Sequence, residues 1–230
     1  MALGLESGHQ EKMSPYRIAG PAALAVLAAC GDSAAAGADS PPASSGGWTI
    51  GPIVRGRNYS KGVPLHPEPR RGGGWQVELP RAPGSLHAAT FRHGPLAGKR
   101  RIVMRYRIEA APGVRILAAS DGRSPGMITL YFQRSGDSWS GRGRFETYRW
   151  YATFATHSPL APGEREMVAP LDGPWTAVTT SSARSSPGAF RSALAAADQV
   201  GFVLGGGDGY GHGVFATGRA RLVVTDFRVE

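Results

Sequence analysis

The 230-residue sequence contains one cysteine, Cys30, one asparagine, Asn58, and three lysines, Lys12, Lys61 and Lys99. A single thiol forms no disulfide within the chain. The six histidines, His9, His66, His87, His93, His157 and His212, include no closely spaced ligand pair, which argues against structural zinc of the usual cysteine/histidine kind. The apolar run near the amino terminus, Ile18 to Ala29, has 12 residues. A bilayer-spanning helix needs about 20, so this run is too short to span. With so few lysines, the formal net charge of +9 is carried almost entirely by arginine. A base-composition bias explains such a preference as well as any function does.

Glycine and proline together exceed a fifth of the chain, yet 41% of residues are hydrophobic, which argues against a wholly disordered protein. Beyond Trp48 the apolar positions recur at period two. Trp75, Val77 and Leu79 alternate with polar neighbours, as do Ile102, Met104, Tyr106 and Ile108 with Arg105, Arg107 and Glu109. Further strands are predicted near 113–119, 126–134, 144–155, 164–170, 200–205 and 219–229, separated by turn signals such as Ala-Pro-Gly and Asp-Gly. The one helix expected lies near Ala189 to Ala197. Many short strands with almost no helix predict an all-β fold, an antiparallel β-sandwich of jelly-roll type, over 48–230.

The amino-terminal segment predicts export. Arg17 precedes the short apolar run, which closes on small residues, the physical form of a signal peptide over 1–29. Met13 is the more plausible start, because Glu6 and Glu11 suit such a signal poorly. The segment Leu27-Ala28-Ala29-Cys30-Gly31 resembles the lipobox of bacterial lipoprotein precursors. That resemblance implies lipidation at Cys30 and a cell-envelope membrane anchor. Gly31 in the following position, rather than aspartate, favours the outer membrane. Residues 30–47 then form a tether of alanine, serine, glycine and proline without aromatics, unable to bury a core.

Two motifs that look catalytic fail on chemistry. Gly122-Arg123-Ser124-Pro125-Gly126 fits G-x-S-x-G, but the residue after the serine must donate a backbone N–H to the oxyanion hole and Pro125 has none. Gly205 to Gly213 is rich in glycine, yet lacks both the G-x-G-x-x-G spacing and a Gly-Lys-Ser/Thr ending. Asp208 and His212 are placed to meet across this loop. Calcium at Asp137 or Asp208 is a weaker option than ordinary turn aspartates. No cofactor, metal or catalytic residue is assigned.

The densest aromatic and charged cluster runs from Tyr131 to Tyr151. Strand alternation across 144–151 puts Arg144, Glu146, Tyr148 and Trp150 on one face, with Phe145, Thr147, Arg149 and Tyr151 on the other. Flat rings suit the C–H faces of sugars, while polar groups around them suit hydroxyls. Single rings here are also ordinary strand and core residues. Trp139 and Tyr210, in glycine-rich turns, are the more informative because exposed loop aromatics ask for a cover. The expected ligand-binding residues are Trp139, Tyr148, Arg149, Trp150, Asp208, Tyr210 and His212.

The carboxyl-terminal part, through Phe190-Arg191-Ser192-Ala193-Leu194, Val200 to Gly206, Gly211 to Val214 and Arg219 to Val229, resembles bacterial jelly-roll domains of the carbohydrate-binding, galactose-binding-like type. That resemblance implies a ligand face with a final strand beneath it and transfers no catalytic residue. Three functions stay open. The first is non-catalytic binding of a polysaccharide or other glycan, acidic ones included. The second is a polysaccharide lyase or glycoside hydrolase using Glu146, Tyr148, Arg149 or His157, with Glu146 and Glu166 as the only carboxylate pair. The third is a structural or assembly role in the envelope. Nucleic acid is not an expected partner of an exported chain.

Overall fold

Two alternating sequence patterns meet face to face in the structure, a computed structural model that describes residues 45–179 and 181–230. The signal segment, Cys30 and most of the tether lie outside the described residues. In chain order the strands are β1 (Trp48–Gly51), β2 (Ile53–Val54), β3 (Arg57–Asn58), β4 (Glu68–Pro69), β5 (Trp75–Glu78), β6 (Ala88–Arg92), β7 (Arg101–Ala110) and β8 (Ile116–Ala118). They continue with β9 (Met127–Arg134), β10 (Arg149–Tyr151), β11 (Ser158–Pro159), β12 (Gly163–Pro170), β13 (Thr176–Ala177), β14 (Ala197–Gly205), β15 (Val214–Ala216) and β16 (Ala220–Val229).

A seven-stranded sheet has the order β1-β6-β14-β9-β10-β13, with β11 added beside β9; a five-stranded sheet has the order β12-β7-β16-β5-β4. All these pairings are antiparallel. The fold is the expected all-β sandwich. Between the sheets, Trp48, Ile50, Phe91, Phe202, Leu130 and Phe132 of one pack with Trp75, Val77, Met104, Tyr106, Leu222 and Phe227 of the other. Trp48 is the hub, with ring centroids 4.9 Å from Trp75, 4.8 Å from Phe91 and 5.1 Å from Phe227. A register shift between Val224 and Asp226 inserts one residue into β16, so that Leu222 and Val224, then Phe227 and Val229, all face inward.

The longer helix, α2 (Pro187–Ala195), lies two residues earlier than the sequence pattern suggested and closes one end of the core with Phe190 against Trp150, centroids 4.9 Å apart. The strand expected over 144–155 does not form. In its place are a 3-10 helix (Gly143–Thr147), the three residues of β10 and a single turn, α1 (Thr153–Thr156). The cause is local: Gly141 and Gly143 take left-handed φ values of 61° and 58°, turning the chain away from the ladder before it returns at Arg149. The alternation read from residue 144 onward therefore holds only for Arg149, Trp150 and Tyr151.

Candidate functional site

The two outer faces of the sandwich treat charge differently. On the five-stranded sheet, arginines and acids pair across strands: Arg105 with Glu166, Arg107 with Glu109 and Glu164, Arg221 with Glu78, and Arg101 with Glu230. These are solvated ladders of small energetic consequence. They also consume many of the acids. Among the described residues, Arg55, Arg57 and Arg92 form no ion pair, and all three border the outer face of the seven-stranded sheet.

The register arranges that face in rows. Arg92, Gln199, Gln133 and Arg149 stand opposite one another across β6, β14, β9 and β10. The next row is Thr90, Gly201, Tyr131 and Tyr151. Gly201 is obligatory, because a Cβ there would lie 2.1 Å from the Ala89 carbonyl oxygen. Beside it, Tyr131 and Tyr151 stack with centroids 5.8 Å apart and join Ala88 and Val203 in a second apolar cluster outside the main core. Trp139, Val178 and Tyr210 pack against that cluster.

Three segments overhang the floor and enclose a cleft of about 1020 Å³. They are the β2-β3 hairpin, the loop at 137–140 and the loop at 210–212. The volume lies at the upper end of small-ligand sites. In the hairpin, Arg55 and Gly56 have φ values of 50° and 76°, the backbone of a type I′ turn. Such a turn selects asparagine, aspartate or glycine at its first position; here it carries arginine. Trp139, with φ 61°, is the other non-glycine residue with positive φ among the described residues. A left-handed L-residue costs roughly 1–2 kcal/mol. Both such residues line the same cleft.

The Trp139 backbone is held by a buried ion pair. Arg149 Nη1 donates to Asp137 Oδ2 at 2.7 Å, Nε to Tyr151 Oη at 3.1 Å and Nη2 to the Trp139 carbonyl at 3.3 Å. Asp137 Oδ1 accepts from the Trp139 N–H at 3.2 Å. The side chains of Arg149 and Asp137 are 4% and 0% exposed. The guanidinium also lies 4.5 Å from the Trp139 ring centroid. Burial lifts the Asp137 carboxyl above its ordinary range, and the Arg149 charge pulls it back.

His87 forms the opposite wall. The Gly211 carbonyl can only accept, so Nδ1, 2.9 Å away, carries the proton. Nε2 is then the acceptor for Ser85 Oγ at 3.1 Å. Burial lowers the His87 pKa, opposed by its bond to Gly211 and aided by the nearby charges of His212 and Lys61. Burial pushes the Tyr151 phenol up to about 12 and raises that of Tyr131 well above its ordinary value, so both stay protonated. Tyr210 donates its hydroxyl to the Ala177 carbonyl at 3.1 Å.

Of the residues expected from sequence to bind ligand, the cleft brings together Trp139, Arg149, Tyr210 and His212. Asp208 sits outside the lining but meets His212 at 3.0 Å, as their spacing suggested. Tyr148 lies outside too, with Arg134 over its ring at 4.7 Å and Phe145 at 5.1 Å. Trp150 is a correction: it is fully buried between the sheets, its Nε1 donating to the Thr147 carbonyl at 2.8 Å. Its neighbours Arg149 and Tyr151 point outward, so Trp150 must point inward. Glu166 belongs to the ion-pair ladder, Glu146 is exposed on the 3-10 helix, and neither borders the cleft. His157 bonds Thr129 Oγ1 at 2.9 Å and also stands apart. No group of three or more potential metal ligands occurs among the described residues.

Sequence reading missed Arg55, Arg57, Tyr59, His87 and Tyr151 as cleft residues. The legible signal was Val54-Arg55-Gly56-Arg57, a two-residue hairpin with an arginine where asparagine belongs. No family model and no curated protein matches the chain. Among solved structures, it is similar to a crystal structure from Bacteroides vulgatus ATCC 8482 described as a "putative glycoside hydrolase". The identity is 10%, the alignment covers 72% of this chain and 78% of the other, and the TM-score is 0.35. Likeness of that degree fixes neither fold nor activity.

Proposed function

We propose that this protein binds an acidic glycan in the cleft over its seven-stranded sheet, without catalysis. The observation that carries the reading is that Arg55 and Trp139, the two strained non-glycine residues, overhang the same cleft. Strain of this kind persists where it positions a functional group. One residue offers a guanidinium and the other a flat ring, the pair of groups that an anionic, hydroxyl-rich ring needs. Arg57 adds a second guanidinium, and Tyr59 adds an exposed ring beneath it. The cleft lining has one carboxylate, Asp137, and Arg149 already neutralises it. A ligand's negative charge meets no uncompensated acid there.

The hydrolase alternative is weaker because a second lining carboxylate is wanting. A lyase finds one favourable feature, the neutral His87 beside the cationic groups. Its Nε2 lone pair already accepts from Ser85, however, and Tyr210 and Tyr151 hold their hydroxyls in hydrogen bonds. Electrophoresis through gels containing pectate, alginate or a neutral glucan tests binding. The protein is expected to be retarded by the acidic polymers alone; free migration in all three defeats the reading. Formation of unsaturated uronate from the same acidic polymers would establish the lyase instead.

The lipobox at Leu27 to Gly31 supports placing this domain on a tether from a bacterial envelope membrane. A diacylglyceryl-modified peptide beginning at Cys30 is the expected mass-spectrometric result. An unmodified Cys30 in the cell-derived protein removes the anchor from the account.

A further inference from the structure

The cleft does not end at Trp139. Past the indole, a second chamber of about 660 Å³ opens over the β1, β6 and β14 side of the same sheet. Pro52, Ile53, Asp137 and Trp139 border both spaces, so the two chambers adjoin along one wall. The second is lined by polar side chains, Thr49, Thr90, Gln133 and Gln199, with the exposed Arg92 at its edge.

Gln133 is the unusual member. It is only 6% exposed, and its Oε1 is buried without a hydrogen-bond partner. Its cross-strand neighbour Arg149 directs its guanidinium to Asp137, Tyr151 and Trp139 instead. Leaving a buried amide atom unpaired is costly, so an apolar side chain would serve the fold better at this position. An amide at the floor of a chamber is explained by a ligand group that completes its bonding.

We propose that Gln133 binds a hydroxyl of the next unit of the glycan in this second chamber, so that the ligand spans at least two consecutive units. This rests on the glycan reading above. A hydroxyl both donates and accepts and so satisfies either end of an amide, whereas a carboxylate satisfies only its N–H end. The acidic group of one unit stays with Arg55 and Arg57, and its neighbour is recognised across Trp139 by its hydroxyls.

Calorimetric titration of the full chain with galacturonate and with tetragalacturonate tests this. The wild-type protein is expected to bind the tetramer at least tenfold more tightly than the monomer. Gln133→Leu is expected to lose about tenfold on the tetramer, to leave the monomer within twofold, and to melt no lower than the wild type. Gln133→Met supplies the same comparison where the leucine variant fails to fold. Equal wild-type affinities for monomer and tetramer, or a length advantage that survives the substitution, overturn the second chamber while leaving the first cleft standing. Failure of the wild type to bind either probe overturns both.

Discussion

Replacing Arg55 with asparagine should make the protein more stable and a poorer binder. Arg55 occupies the first turn position of the β2-β3 hairpin with φ 50°, followed by Gly56 at 76°. Asn-Gly is the favoured pair for this turn, because asparagine tolerates the left-handed region that costs most L-residues roughly 1–2 kcal/mol. Arg55 is exposed and, among the described residues, forms no ion pair that its removal would break. The expected gain is about 1 kcal/mol, a rise in Tm of roughly 2–4 °C for a domain of this size. In the opposite direction, removing one solvent-exposed charge about 4 Å from an anion costs about 1 kcal/mol at low salt, near fivefold in Kd. That loss should shrink as salt shortens the screening length. Thermal melting and calorimetry with tetragalacturonate, at low and at 0.5 M salt (roughly a 4 Å screening length), read both quantities. A variant that melts lower, or that binds as well as the wild type at low salt, refutes the idea that strain at this turn is retained for an anionic ligand.

Other outcomes follow from the same geometry. Arg149→Met leaves the buried Asp137 carboxylate without its cation and should cost about 3–5 kcal/mol in urea unfolding, whereas Arg149→Met with Asp137→Leu should recover most of it; a single-variant loss below about 1 kcal/mol would contradict the buried pair. Trp150→Ala should cost about 3–5 kcal/mol without changing ligand affinity, while Trp139→Ala should weaken binding and lower the melt by less than Trp150→Ala does. Acidification should also destabilise the protein through His87 and His157. Burial lowers both folded values below the ordinary 6.5, so between the lowered values and 6.5 the unfolded chain binds more protons and stability is lost as the pH falls. The urea midpoint should drop more between pH 7.5 and pH 5 in the wild type than in a His87→Gln, His157→Gln variant, two values chosen to straddle roughly the ordinary histidine range; equal drops would show that neither histidine resists protonation.

The sandwich was legible because its period-two signal is strong. Ile102 to Ile108 and Trp75 to Val77 enter the core as their alternation required. The same rule failed from Arg144 to Tyr148, where left-handed Gly141 and Gly143 break the ladder and a 3-10 turn replaces the strand. Tyr148 falls on that non-strand segment, whereas Trp150 lies in β10, where alternation holds but does not say which of the two faces is the core. Trp139 and Tyr210 rest on a different argument, the cost of large rings in glycine-rich loops; both border the cleft, half-buried against the Tyr131 and Tyr151 cluster. Arg55, Arg57 and His87 were invisible for a third reason. They come from β-hairpin and loop segments far from 131–151 in sequence, and only the pairing of β1 with β6 and β6 with β14 brings them over the same floor. The cross-strand pairing of Arg105 with Glu166 and of Arg221 with Glu78 likewise depends on register rather than composition.

A carbohydrate array carrying acidic and neutral polysaccharides, probed side by side with the wild-type protein and Trp139→Ala, bears most directly on the cleft. Retention on acidic polymers over neutral ones, lost when the indole is removed, is the expected pattern. An array that stays dark, or one whose pattern is unchanged by the substitution, would mean that the strained loops over this sheet serve something other than a sugar chain.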